Sequence, residues 1–261
     1  MAIITLARQV AAKGDEVAQD LAAKLNYKFI TRKQIEERII ELGFPQSKMP
    51  KYDERKPGFF ASMAKDRDAY QNLSQYAMLE AASKGNIIII GRGAFALFRE
   101  IPNHISVRLI ASEKVRVARL MQEFDWTEKQ ARQHIQESDA NRNGFHKNFY
   151  NIDIEDPSNF HMLLNTGTVA INDCANIIAD FTRAHITPTK ETEGTKLIEE
   201  MVKPLRGWYR RLVPARTKDR RSFLFLGHVR KFQPTCRPVF LPNRPLGRSN
   251  SPHFQTNRRQ S

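Results

Sequence analysis

The chain has 261 residues, 41% of them hydrophobic, and a formal net charge of +14 from 42 Lys+Arg against 28 Asp+Glu. That apolar share is enough for a packed core and excludes a wholly disordered chain. Apolar runs of about four residues exclude a transmembrane helix, which needs about 20.

The predicted elements begin with Ile3-Ile4-Thr5-Leu6, a short apolar strand. Val17, Leu21 and Leu25, with Ala18 and Ala22, form an apolar stripe after Gly14 and predict a helix. Thr31-x-x-Gln34 is a capping-box pattern that opens a second helix with Ile35, Ile39 and Leu42 on its stripe. Leu73, Tyr76, Ala77 and Ala81 predict a helix ending at Gly85. Ile87 to Ile90 and Ile105 to Ile110 are strands, and without strict alternation they fit a parallel sheet covered on both faces. Val115, Ala118, Leu120 and Met121 predict the next helix, and Thr127-x-x-Gln130 caps another through Ile135. His161 to Asn165 is a weaker strand, Val169 to Arg183 a helix, and Ile186 to Val202 a connector and short helix. Strand–helix alternation with right-handed crossovers predicts an α/β layered fold.

Charge divides the chain. Residues 203–261 hold 15 of the 42 basic residues and a single acid, Asp219, so residues 1–202 balance at 27 basic against 27 acidic. Seven of the 13 prolines also lie in the last 59 residues. The sequence therefore reads as a domain over 1–185, the connector and helix over 186–202, and a basic, Pro- and Arg-rich tail over 203–261 expected to be disordered. Trp208-Tyr209-Arg210-Arg211 and Phe223 to Leu226, interleaved with arginine, are a composition able to contact RNA by stacking and phosphate pairing. Cys174 and Cys236 form no Cys-x-x-Cys, which fits a reducing cytoplasm, and no secretory signal is read at the start.

In a parallel sheet, ligands bind at the carboxyl ends of the strands. After the first strand comes Ala7-Arg8-Gln9-Val10-Ala11-Ala12-Lys13-Gly14-Asp15-Glu16, after the second long apolar run Gly91-Arg92-Gly93-Ala94, and after the third a helix carrying Arg116 and Arg119. Arginine there suits phosphate, because its planar fork makes bidentate, charge-assisted bonds. A helix start after the first strand adds backbone N–H donors. Each residue has a plainer reading as well: Arg8 as an ion-pair partner beneath the loop, Lys13 as a solvated lysine, Asp15 and Glu16 as first-turn acids favoured by the helix dipole. His134, His146 and His161 lack metal-ligand spacing, and Cys174 falls on an apolar helix face.

Over about Ala2 to Asp180 the chain resembles the cytidylate kinase-like family, a branch of the P-loop nucleoside monophosphate kinases. The matching elements are Ile3-Ile4-Thr5-Leu6-Ala7-Arg8-Gln9, Ile89-Ile90-Gly91-Arg92-Gly93-Ala94, Arg116-Val117-Ala118-Arg119-Leu120-Met121, Asp139-Ala140-Asn141-Arg142 with Phe145, Phe149 and Tyr150, and Asn165-Thr166. The resemblance implies a P-loop NTPase-like three-layer α/β sandwich with a mainly parallel sheet, a helical acceptor-binding insertion over about 44–84 and a lid. It implies transfer of the γ-phosphoryl of ATP, with Mg²⁺, to a nucleoside monophosphate such as CMP or dCMP. It assigns Arg116, Arg119 and Arg142 to catalysis, and Arg8, Ala11, Ala12, Lys13, Gly14, Asp15, Glu16 and Arg92 to phosphate binding. Within the insertion stand Asp53-Glu54-Arg55-Lys56 and Phe59-Phe60.

The sequence departs from the family in its phosphate loop. The G-x-x-x-x-G-K-[ST] pattern is replaced by Ala11-Ala12-Lys13-Gly14-Asp15-Glu16, Thr31 stands where the family has Asp, and Asn141 where it has a lid Arg. Two other functions therefore stand beside the kinase: an inactive nucleotide-binding relative serving as a sensor or assembly partner, and RNA binding through the tail. The expected partners are nucleoside mono- and triphosphates, with no membrane.

Overall fold

Five parallel strands form the middle layer: β1 (Ile3–Arg8), β2 (Lys28–Ile30), β3 (Ile87–Ile90), β4 (His104–Ile110) and β5 (Met162–Asn165), in the order β2-β3-β1-β4-β5. The computed structural model describes residues 1–52 and 64–212. Successive strand side chains point to opposite faces, and this alternation builds two cores. Ile4, Leu6, Ile88 and Ile90 face α1 (Gly14–Leu25) and α7 (Ile171–His185), whose Val17, Leu21, Cys174 and Ile178 are all fully buried. Ile3, Ile87 and Ile89 face the other layer, made by α2 (Arg32–Glu41), α3 (Ala64–Ala82), the end of α6 (Glu128–Tyr150) and α8 (Pro188–Leu212). The result is the three-layer α/β sandwich with a parallel sheet that the sequence predicts.

Both capping boxes form. Thr31 accepts from the Gln34 backbone and Thr127 from that of Gln130, each with the reciprocal glutamine bond. α5 (Glu113–Phe124) starts on Ser112. Four short elements were not predicted: the three-residue β2, too short to carry a pattern, α4 (Ala94–Leu97), a single turn held behind Gly93, and the 3-10 segments Gln46–Tyr52 and Pro157–Asn159. Gly93 lies at φ +70, and a Cβ there would meet the Tyr150 ring at 2.1 Å, so both conformation and close approach call for glycine.

Two expectations change. Residues 139–144, read as a lid of loop-like composition, lie inside the 23-residue helix α6. Asn and Gly disfavour a helix interior, but Ala131, Ile135, Ser138, Arg142, Phe145 and Phe149 repeat at helical spacing and are all buried, so tertiary packing decides. The last helix runs past 202 to Leu212 with Pro204 inside it. Ile198 and Val202 are each 3% exposed in the core beside α3, with Leu205 against the same cluster, and this packing opposes the cost of an interior proline. α8 is thus part of the domain rather than a connector. The tail from 213 onward and residues 53–63, including Asp53 to Lys56 and Phe59-Phe60, lie outside the described residues. Among the described residues no helix is long and apolar enough to cross a membrane.

At the amino end of β4, His104 is buried and its Nε2 lies 2.7 Å from the Thr5 hydroxyl. Burial, with His161 nearby, pushes its pKa down to about 3.

Two outcomes follow from this packing. A chain stopped after Leu212 is expected to melt cooperatively near the full-length temperature, whereas Ile198→Ala should cost about 2–4 kcal/mol by urea denaturation; loss of cooperative melting in the shortened chain would count against the boundary. Between pH 6.5 and 3 the unfolded His104 binds a proton that the folded one does not, so folding stability falls as pH drops through that window. The fall should be shallower in His104→Gln by up to about 1.4 kcal/mol per pH unit, and equal slopes in the two proteins would refute the assignment.

Candidate functional site

The carboxyl ends of β1, β3, β4 and β5 gather the residues of interest. β1 ends at Arg8, and the chain turns through Gln9 to Lys13 into α1. The turn is tied to β4: the Gln9 backbone N–H donates to Leu109 O at 3.1 Å, and its side chain accepts from Ala111 N at 3.2 Å. Ala11 (φ 57) and Lys13 (φ 56) both sit in the left-handed region, which costs a non-glycine residue about 1–2 kcal/mol. The loop therefore keeps left-handed turns at two positions without the glycines that favour them. Gly14 answers a different need, since a Cβ there would lie 2.8 Å from Arg8 Cγ.

The cations predicted at the loop have internal partners. Lys13 Nζ pairs with Glu16 at 2.9 Å, and Arg8 lies 3.9 Å from Asp15. Arg119, from α5, donates to Ala11 O at 2.8 Å and to the Thr166 hydroxyl and carbonyl at 3.1 and 2.6 Å. Arg116 pairs with Asp139 at 2.7 Å and joins α5 to α6. Arg142, buried in α6, donates to the Ser138 hydroxyl. Arg116 and Arg119, three residues apart on one helix, thus serve different neighbours: the α6 arm and the loop after β1.

Arg92 is fully buried between Gly91 and Gly93 at φ 57. Its guanidinium donates to Tyr52 O and the Tyr70 hydroxyl, both at 2.7 Å, and to the Glu36 carboxylate. Its own carbonyl accepts from the Tyr150 hydroxyl at 2.9 Å. Tyr52 and Tyr70 stack with ring centroids 4.4 Å apart, and Phe44 meets both edge-on. Four segments thus converge on Arg92: α2, the stretch ending at Tyr52, α3 and the end of α6.

Arg32 was missed by sequence reading. Its Nε lies 3.3 Å from the same Glu36 oxygen that accepts from Arg92. Burial holds the Arg92 guanidinium below its ordinary pKa, and the charges of Arg32 and Arg8 push the same way. Arg92 therefore feels both Arg32 and Arg8, with Glu36 between it and Arg32 and Asp15 beside Arg8. Arg8 and Arg32 remain 13% and 20% exposed at the side chain, so solvent reaches this cluster while Arg92 backs it from inside. The only sequence signal for Arg32 was its place directly after the Thr31 cap.

Among the described residues no group of three or more His, Cys, Asp or Glu gathers as a metal site. Mg²⁺ at phosphate sites needs fewer, taking one or two carboxylates plus substrate oxygens. Asp15, 59% exposed at the head of α1, is a donor of that kind, and Glu16 beside it is held by Lys13.

The description of the family model that matches residues 3–168 is the cytidylate kinase-like family. A cytidylate kinase of Pyrobaculum islandicum is 24% identical over 182 residues, covering 69% of this chain and 92% of that protein. A solved structure of an uncharacterized protein from Eubacterium ventriosum superimposes with a TM-score of 0.57 at 20% identity, over 70% of this chain and 98% of that one. A shikimate kinase from Bacteroides thetaiotaomicron has a TM-score of 0.44 at 16% identity, over 70% and 98% of the two chains. The match spans more than half of the chain and runs from β1 through the turn after β5, and on it the chain belongs to the cytidylate kinase-like family.

Proposed function

We propose that the protein is a nucleoside monophosphate kinase that carries a phosphoryl group from ATP to CMP or dCMP. The observation that carries this reading is the Arg8–Arg32–Arg92 cluster. Arg8 and Arg32 keep side chains 13% and 20% exposed beside the buried Arg92 guanidinium, and a phosphomonoester with nearly two negative charges at neutral pH suits such forked donors. Arg32 and Arg8 meet the acceptor phosphate, and Arg92 holds Glu36 and adds its charge from beneath. The donor triphosphate lies along the turn after β1, where the backbone N–H groups at the start of α1 face the anion. Mg²⁺ bound with ATP would neutralise the charge of the donor oxygens, and Asp15 is the residue that would hold it. Arg116 on α5 and Arg142 on α6 screen the group in flight, as the family resemblance implies. Cytosine as the acceptor base rests on the name of the Pyrobaculum relative.

Calorimetric titration with CMP, dCMP, UMP and AMP, beside a coupled assay with ATP and Mg²⁺, tests the reading. The unaltered protein should bind a cytidine monophosphate and turn it over. Arg32→Met should weaken that binding about 10–100-fold, the worth of a charged hydrogen bond, and leave ATP affinity unchanged. Binding without turnover would reduce the protein to a nucleotide-binding relative, and no binding of any nucleotide would overturn the site as a whole.

A further inference from the structure

We infer that Arg119 is a positioning residue: with Thr166 it latches the loop after β1 into its phosphate-facing shape and takes the place of the glycines the loop lacks. The inference rests on the proposed use of that loop for ATP. It differs from the role expected for Arg119 in the sequence, direct contact with the transferring phosphate.

The argument begins with Ala11. A residue with a Cβ persists in the left-handed region only when its surroundings over-determine it. Here the surroundings are two bonds to consecutive carbonyls. Arg119 Nη1 donates to Ala11 O at 2.8 Å, and the Thr166 hydroxyl donates to Ala12 O at 3.0 Å. The same arginine fixes Thr166, donating to its hydroxyl oxygen at 3.1 Å and, through Nη2, to its carbonyl at 2.6 Å. Thr166 is anchored in turn to β4, its N–H donating to Ile110 O at 2.9 Å, and is only 5% exposed. The hydroxyl has one proton, and Arg119 as donor leaves that proton for Ala12 O.

The chemistry suits a loop that binds anions. Backbone N–H groups turned toward a phosphate leave their carbonyls turned away, and buried carbonyls need donors. Ala11 and Ala12 receive theirs from a side chain on α5 and another after β5, so the loop, α5 and the end of β5 form one unit. Arg119 uses its two terminal nitrogens on three protein oxygens, that of Ala11 and two of Thr166. Lysine has no planar fork with which to reach these oxygens together.

The test is a set of variants of the full chain: Arg119→Met, Arg119→Lys, Ala11→Gly and Arg119→Met/Ala11→Gly, each measured for melting temperature without ligand and for ATP affinity by calorimetry. Arg119→Met and Arg119→Lys should both lower the melting temperature and weaken ATP at least tenfold. Ala11→Gly alone should raise the melting temperature, because glycine is relieved of the cost of the left-handed turn. In the Arg119→Met background it should restore most of both, because glycine takes the left-handed turn unaided. A residue that itself touched the nucleotide would show a loss of affinity that Ala11→Gly does not repair, or one that Arg119→Lys largely spares; either result overturns the latch, as does an Arg119→Met protein that melts and binds like the parent. If the parent binds no ATP, the proposed function falls, and melting alone decides the latch: recovery by Ala11→Gly supports it, and equal loss in both backgrounds overturns it.

Discussion

The Arg92 guanidinium is the point on which one side of this fold turns. It is a cation with no exposure, and taking a charge out of water costs several kcal/mol unless good geometry returns it. That return comes from Glu36 on α2, the Tyr52 carbonyl at the end of the 3-10 segment Gln46–Tyr52, and the Tyr70 hydroxyl on α3. The Arg92 carbonyl adds Tyr150 at the end of α6. Elements more than 50 residues apart in the chain therefore share one anchor. The backbone makes this possible: Gly91 (φ 76), Arg92 (φ 57) and Gly93 (φ 70) are three left-handed residues in succession, which turn the chain from β3 into α4 and aim the side chain inward. The strain of one non-glycine residue in that row is compatible with folding because so much else is fixed by it.

From this anchor the charge arrangement of the site follows. Residues 1–202 carry no net charge, and the structure resolves that neutrality into pairs: Lys13 with Glu16, Arg116 with Asp139, Arg92 with Glu36. Glu36 serves both Arg92 and Arg32, and Asp15 lies 3.9 Å from Arg8. Arginines gathered at one point of a domain of zero net charge are more selective for an anion than a uniformly basic surface, because attraction is confined to where geometry also fits and fades within about a Debye length elsewhere.

How much of this was legible depends on how local each feature is. β1, β3 and β4 declare themselves by short apolar runs, and the caps at Thr31 and Thr127 by residues three positions apart. The part of α6 beyond Ile135 did not, because Asn141 and Gly144 speak locally for a loop, and the buried face that overrules them, from Ala131 to Phe149, acquires meaning only against the rest of the core. Arg92 was noticed for the right neighbours, two glycines, but its partners lie 22 to 56 residues away and no spacing rule connects them. Arg32 escaped for the same reason: its significance is Glu36 shared with Arg92. The break in composition near Val202 marked a change of residue usage, while the helix itself ignores it and continues to Leu212.

The phosphate loop shows the limit of motif reading most sharply. A pattern such as G-x-x-x-x-G-K-[ST] is a recipe for a backbone path, with glycines where φ is positive. Ala11 and Lys13 occupy positive φ without being glycine, so the path can outlast the recipe when tertiary bonds hold it. Losing a glycine is then not equivalent to losing the turn. It moves the responsibility for the turn from the unstrained backbone to donors elsewhere in the chain, and makes the loop dependent on α5 and the end of β5. The non-glycine residues other than Asn and Asp found at positive φ among the described residues are Ala11, Lys13 and Arg92, all at the carboxyl ends of the neighbouring strands β1 and β3. Arg92 has its rationale in the packing it anchors; the strain at Ala11 and Lys13 lies at the strand end where this class of sheet binds its ligands. It fits a site whose shape is maintained for a ligand.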